Sequence, residues 1–328
     1  MAGQPFNIFI IGQSGRLQYE AVMFAASLQR TDPDLNARLY IGEPAPGRLW
    51  DGDPRISGDA RALLQELGAT FVEFEAKQFG KNYPQGNKIE GLRALPKGEP
   101  FIVFDTDTLI TGPLSSIPFN FARPTASMRR EGSWPVPELY GPGYAGIWKS
   151  LYDRFGLDFD SSVDPAQPDE YWRRYLYFSA SWFLHSCPHE FGDRFLTYAL
   201  EIIANPPEEL ACQTLWPWLD QITLPLVIHS LGGGRPGPEL DGLDGDISCH
   251  YRHLPLLYAQ ESDAAVQAVE DVANTQRFKK VLREYKPVKT LVYQGKGQKI
   301  RAMFNRNDLP PREQMIRNAI KREGLWAR

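Results

Sequence analysis

The 328-residue chain reads as an α/β protein with a mixed, mostly parallel central sheet flanked by helices. Three observations predict this. Short apolar runs alternate with stretches of helical apolar spacing through the first third of the chain, as successive β–α units do. The chain opens on a strand, a glycine loop and a helix, the usual first unit of a nucleotide-binding α/β sheet. Then Phe101-Ile102-Val103-Phe104, apolar throughout and so suited to burial on both faces, runs straight into Asp105-Thr106-Asp107.

Taken in order, Asn7 to Ile11 is the first strand and Gly12-Gln13-Ser14-Gly15 the loop after it. Ala21, Val22, Phe24, Ala25 and Leu28 have helical spacing, so a helix covers about Leu17 to Gln29. Gly12-x-x-Gly15 does not complete a dinucleotide fingerprint. Ala37 to Ile41 is a second strand, Gly42 to Gly58 a Gly/Pro-rich loop, Asp59 to Leu67 a helix closed by Gly68, and Ala69 to Phe74 a third strand. Asn87 to Leu95 is a helix leading to the Asp-x-Asp strand. Beyond it, Pro124 to Arg129 is a strand, Arg130 to Gly143 a Pro/Gly-rich loop, Tyr144 to Phe155 a helix and Asp158 to Asp169 a surface loop. Tyr175 to Leu184 is a strand, His189 to Ala204 a helix, Ile222 to Ile228 a strand and Ile247 to Tyr251 a short strand. Asp263 to Tyr285 reads as one helix, and Pro310 to Glu323 as another with proline in its first turn.

Composition narrows the function classes. A net charge of −4 argues against a wholesale nucleic-acid binder. Cys187, Cys212 and Cys249 are too widely spaced for a zinc site or a disulfide framework, which fits a reducing, cytoplasmic setting. Met1 to Pro5 carries no basic leader, and no apolar stretch is long enough to span a bilayer. From about residue 261 the chain turns helical and basic, a tail that could approach the inner membrane face or pack on the domain.

The chemistry concentrates at Asp105 and Asp107. In open α/β sheets, ligands sit at the C-terminal ends of the strands. Two aspartates at i and i+2 on a continuing strand would point the same way, and their charges would repel unless a cation or proton lay between them. Carboxylate oxygens suit a hard divalent cation, and such ions commonly bridge substrate phosphates. The residues alone therefore suggest a metal-dependent site for a phosphate-bearing substrate.

The order of parts resembles a known family. Asn87-Lys88-Ile89-Glu90-Gly91-Leu92-Arg93-Ala94-Leu95, followed by Phe101 to Leu114 with its Asp105-Thr106-Asp107 and Gly112-Pro113-Leu114, resembles GT-A fold nucleotide-sugar glycosyltransferases. The nearest look is to the glycogenin-like and bacterial lipopolysaccharide galactosyltransferase group. Tyr177-Phe178-Ser179-Ala180-Ser181 stands in the place of that group's Phe-Asn-Ser-Gly strand, Trp218-Leu219-Asp220-Gln221 matches its Asp-Gln segment, and Cys249-His250-Tyr251 falls at its late metal-binding histidine. The chain departs from the group after His250, where Tyr251-Arg252-His253-Leu254-Pro255 replaces a glycine- and lysine-bearing block.

The resemblance implies a single GT-A-type, Rossmann-like domain over about 1–260, with a donor half at 1–125 and an acceptor half at 126–260, and a helical basic extension over 261–328. It implies a metal-dependent hexosyltransferase using Mn²⁺ or Mg²⁺, with UDP the favoured nucleotide, acting on a glycan, lipid-linked glycan or protein acceptor. Asp105, Asp107 and His250 would hold the metal, with His253 as the fallback. Gly12, Gln13, Ser14, Lys88, Asp105, Thr106, Ser179 and Ser181 would meet the donor. Asp220 and Gln221 would serve the transferred sugar and its acceptor, Asp220 as a base or as a partner to a sugar hydroxyl. Trp134, Trp216 and Trp218 could stack on an acceptor sugar or belong to the core. His185 and His229, in apolar runs, read as core residues. Two rival readings stay open: a haloacid-dehalogenase-type phosphohydrolase with Asp105 as nucleophile, and a binding module without turnover.

Overall fold

The computed structural model describes residues 4–129 and 134–327, so the start of the loop expected at 130–143 and the first three residues of the N-terminal stretch lie outside the described residues. The strands are β1 (Phe6–Ile11), β2 (Ala37–Pro44), β3 (Thr70–Phe74), β4 (Phe101–Phe104), β5 (Thr108–Ile110), β6 (Thr125–Ser127), β7 (Ser179–His185) and β8 (Ser248–His250). Six of them form one sheet in the order β3-β2-β1-β4-β7-β6, while β5 and β8 form a separate antiparallel pair. The pairings β1–β2, β2–β3 and β1–β4 are parallel, and β7 runs against both β4 and β6. The fold is thus the expected α/β one, with a mixed, mostly parallel sheet.

Both faces of the sheet are covered, which is why its central strands are apolar without alternation. Ile8, Ile10, Ile102 and Phe104 enter one apolar layer, and Phe9, Ile11, Phe101 and Val103 the other. Helices α1 (Arg16–Thr31) and α2 (Gly58–Glu66) build the first layer. The second holds the short α3 (Asn87–Glu90), then α4 (Gly143–Arg154), α5 (Phe159–Ser162), α6 (Pro188–Ala204) and α7 (Leu219–Ser230). Gly15, at φ 82°, turns the chain from the first strand into α1, and Gly68, at φ 85°, closes α2; both are backbone conformations that cost glycine least.

The chain then returns to the first layer with α8 (Leu254–Gln260), α9 (Asp263–Asn274), α10 (Gln276–Leu282), α11 (Lys286–Val288), α12 (Lys296–Ala302) and α13 (Glu313–Arg322). Val266, Val269, Leu282, Ile300, Ile316 and Ile320 join the same apolar cluster as the sheet. Several basic residues of this segment meet acids: Arg277 reaches Glu66, Lys280 reaches Asp59 and Arg301 reaches Asp263. Among the described residues no helix is long and apolar enough to cross a membrane.

Several expectations need correction. Ile222 to Ile228 is not a strand but lies inside α7. That helix is buried nearly all round, so no polar face interrupts its apolar run, and periodicity cannot separate it from a buried strand. The strand at Phe101 does not continue through the aspartates: it stops at Phe104 and the chain bends before β5. The helix expected over Asp263 to Tyr285 breaks at Thr275, between α9 and α10. The last helix begins at Glu313 rather than at Pro310. β2 runs on to Pro44, β7 starts only at Ser179, and the acidic surface loop contains α5, whose cap is the Asp158 carboxylate accepting from the Ser161 amide.

Candidate active site

The bend after β4 is held from two sides. The Asp105 amide donates to the Ser181 carbonyl at 2.7 Å, continuing the β4–β7 ladder by one bond. The Thr106 hydroxyl donates to the Ile11 carbonyl at 2.6 Å, tying the bend to the end of β1. The chain then enters β5, which pairs with β8 so that Thr108 lies opposite His250, and the Tyr251 amide donates to the Asp107 carbonyl at 3.0 Å. This pairing brings an imidazole from the far end of the sequence over the aspartates. His250 Nε2 lies 3.1 Å from Asp107 Oδ1 and 3.7 Å from Asp105 Oδ2. One ligand atom from each of Asp105, Asp107 and His250 falls within 4.8 Å of the others. The two carboxylates converge although the strand does not continue through them.

Two cations stand behind this cluster. Lys88, in α3, is buried; its Nζ donates to Asp105 Oδ1 at 2.6 Å and to the Ala180 carbonyl at 3.0 Å, and lies 3.4 Å from Asp220 Oδ2. Burial works against its charge, but Asp105 and Asp220 outweigh it and hold the ammonium pKa above its ordinary value. Arg16, at the start of α1, places Nη2 3.1 Å from Asp107 Oδ2. Burial would raise the Asp107 pKa; His250 and Arg16 more than reverse this and hold the carboxyl well below the usual range. Lys88 and Arg16 thus face three aspartates, Asp105, Asp107 and Asp220, so the carboxylates outnumber these two cations. An excess of carboxylate converging with one imidazole fits a hard or borderline divalent cation held by Asp105, Asp107 and His250.

Asp220 sits in the first turn of α7 and is buried. Tyr83 donates to its Oδ1 at 2.7 Å and accepts from its amide at 2.8 Å. Burial raises the Asp220 pKa despite Lys88 and Tyr83, which pull it down. Gln221 Oε1 accepts from the Tyr177 hydroxyl at 2.5 Å. Of the other residues expected at the donor, Gln13 accepts from Asn87 at 3.3 Å and the Ser14 amide donates to the Pro54 carbonyl at 2.7 Å. A Cβ at Gly12 would strike the Ile41 and Ile56 side chains, so that glycine is required by packing. Ser179 and Ser181 are buried in β7. Trp134 is buried edge-on against Trp148, whereas Trp216 is 46% exposed and lies against Tyr83. His253 packs its ring against Trp326, His185 bonds near Cys187, and His229 meets Ser161.

Sequence reasoning missed Arg16, Glu20 and Tyr83. A signal for the first two was present: an Arg and a Glu four apart in the first turns after the opening strand, on an otherwise apolar helix face. Glu20 is fully buried, and burial, followed by the Asp107 charge, pushes its pKa up to about 8 against the opposing pull of Arg16, Tyr285 and His250. A folded pKa above the unfolded value of 4.5 means that Glu20 favours the fold at low pH and that this contribution is lost as pH rises toward 8. Glu20→Gln keeps the neutral form throughout. Its melting temperature relative to wild type is therefore expected to improve steadily between pH 5 and pH 8, and a flat difference across that range would contradict the shift.

Comparison with known proteins bears on family and fold. The family described as the Rhodobacterales glycosyltransferase domain matches residues 8–232. No curated protein matches the chain. Among solved structures, the galactosyltransferase LgtC in complex with donor and acceptor sugar analogues is similar at TM-score 0.50 and 13% identity, over 84% of this chain and 99% of that one. An active-site mutant of LgtC gives TM-score 0.50 at 11% identity with the same coverage. The bifunctional glycosyltransferase WbbM gives 0.46 at 13%, over 86% of this chain and 51% of that one. At these identities the likeness is one of fold, and that fold is GT-A.

Proposed function

This chain belongs to the Rhodobacterales glycosyltransferase family, and from that premise we propose that it moves a sugar from a nucleoside-diphosphate donor, UDP in the first instance, to a glycan or lipid-linked acceptor with a divalent cation bound at Asp105, Asp107 and His250. The observation that carries this reading is the convergence of those three side chains at the C-terminal end of β4, where α/β sheets bind ligands. Mn²⁺ or Mg²⁺ bound there would supply a positive charge beside the departing diphosphate, offsetting the charge that develops as the glycosidic bond breaks.

The chain's own residues have separable tasks in this reading. Asp105 and Asp107 supply oxygen ligands, and His250 supplies an imidazole nitrogen. Lys88 holds Asp105 by its Oδ1 and leaves Oδ2 on the side of His250. The Gly12-Gln13-Ser14 loop, Thr106, Ser179 and Ser181 form the donor wall. Asp220 and Gln221, behind Lys88, serve the transferred sugar. The division into a catalytic unit over about 1–260, donor half first, and an extension over 261–328 belongs to the same reading.

The test is a thermal-shift and calorimetric series with UDP, other nucleoside diphosphates and their sugars, with Mn²⁺, with Mg²⁺ and with chelator. Stabilisation by a nucleotide only when the cation is present is the expected result, and His250→Ala should weaken Mn²⁺ binding by about tenfold or more, at least what loss of a ligand's supporting partner costs. Identical nucleotide binding with chelator would defeat the metal assignment. UDP release from a UDP-sugar separates an enzyme from a binding module, and turnover of an aryl phosphate would revive the phosphohydrolase, which family membership disfavours.

A further inference from the structure

Asp107 uses only one oxygen toward His250; the other is claimed by Arg16, and Arg16 has no slack. Its Nη2 lies 3.1 Å from Asp107 Oδ2, its Nε 3.2 Å from Glu20 Oε2, and its Nη1 donates to the Arg252 carbonyl at 2.9 Å. All three nitrogens of a planar fork are engaged, so the guanidinium is fixed in position as well as in charge.

Each of Arg16's other two partners is held by the segment beyond residue 261. The Tyr285 hydroxyl, just past α10, donates to Glu20 Oε1 at 3.0 Å, and the Tyr285 ring stacks on Tyr19 of α1 at 5.2 Å. Arg252, at φ 58°, pairs through its guanidinium with Glu313 of α13, which Arg317 braces at 2.6 Å. Two separate points of the C-terminal segment, Tyr285 between α10 and α11 and Glu313 in α13, thus end, through one intermediate residue each, on the same arginine. The family match stops at residue 232, so both ties come from outside the matched region.

We propose that Arg16 is a positioning residue that fixes the Asp107 carboxylate with Oδ1 turned toward the cation site, and that the C-terminal helices set the metal affinity by holding Arg16 through Tyr285–Glu20 and Glu313–Arg252. This rests on the metal assignment made above. The opposing effect is electrostatic: a guanidinium beside Asp107 repels a second cation. The Arg16 side chain is partly open to solvent, which screens that charge. The geometric restraint is lost entirely when the fork is removed. Substituting an outer partner of a metal ligand typically costs about 10–100-fold in affinity, so restraint is expected to win over repulsion.

The two effects have opposite signs, which makes the test decisive. Mn²⁺ alone is titrated against the full chain while the free-ion electron paramagnetic resonance signal is followed, for wild type, Arg16→Met, Arg16→Lys, Tyr285→Phe and Glu313→Gln, with melting temperatures measured without metal. The expected result is weaker Mn²⁺ binding by about tenfold or more in Arg16→Met, little rescue by Arg16→Lys, which lacks the fork, and a smaller weakening in the two distant variants. Tighter or unchanged binding in Arg16→Met overturns the proposal, as does unchanged binding in both Tyr285→Phe and Glu313→Gln for the role of the C-terminal helices. If Arg16→Met does not fold, the two distant variants carry the test, since Tyr285→Phe keeps the ring stack and loses one hydrogen bond. Wild type that binds no Mn²⁺ overturns the metal assignment itself, and wild type that binds while Arg16→Met binds equally overturns this proposal alone.

Discussion

Asp107→Ala is expected to abolish metal-dependent nucleotide binding and to lower sugar transfer by at least about a thousandfold, a loss of about 4 kcal/mol in transition-state stabilisation. The substitution removes the carboxylate that faces His250 on one side and Arg16 on the other. His250 and Asp105, 3.7 Å apart, remain, but one imidazole and one carboxylate are a poor cage for a hard cation, and Arg16 is left facing the gap. The loss should be one of function more than of fold, because Arg16 still holds Glu20 and the Arg252 carbonyl. Calorimetry of UDP with and without Mn²⁺ checks it. Full metal-dependent affinity in the variant would remove Asp107 from the site.

Lys88→Met should be costly in a different way. Lys88 is the buried cation between Asp105 and the fully buried Asp220. Methionine is similar in length, so packing changes little, but Asp220 is left without a counter-charge. Breaking a buried pair by removing one partner costs about 3–5 kcal/mol, because the surviving charge stays buried and uncompensated. Urea denaturation should report a loss of that order, with m unchanged. The double variant Lys88→Met/Asp220→Asn should recover much of it, since a neutral amide can keep the bond with Tyr83 at far smaller desolvation cost. A single variant as stable as wild type would show that the lysine is not a buried counter-ion at all.

Much of the framework was legible locally. Phe101 to Phe104 is apolar because both faces of β4 are covered, and an all-apolar run of that length announces this condition without any partner being known. Helix α1 showed its apolar spacing, and Gly68 marked the end of α2 because a left-handed C-terminal residue favours glycine. The Asp-x-Asp block, with Lys88 in the helix before it, pointed to the C-terminal end of β4, where the two aspartates and His250 converge. Helix α7 escaped for the converse reason: when every side of a helix is buried, its sequence carries no period to read.

What local patterning established, then, is where the strands and most helices lie, which end of the sheet carries the acids, and that two carboxylates so close need a counter-charge. Which groups answer that need was settled by folding. His250 reaches Asp107 through the β5–β8 ladder, Arg16 through the turn after β1, and Asp220 through the burial of α7 behind Lys88. Each of these contacts joins residues far apart in the chain. Local propensity acts over a few residues, whereas a charge responds to whatever stands within a few ångströms of it, and only the packed chain puts those neighbours in place.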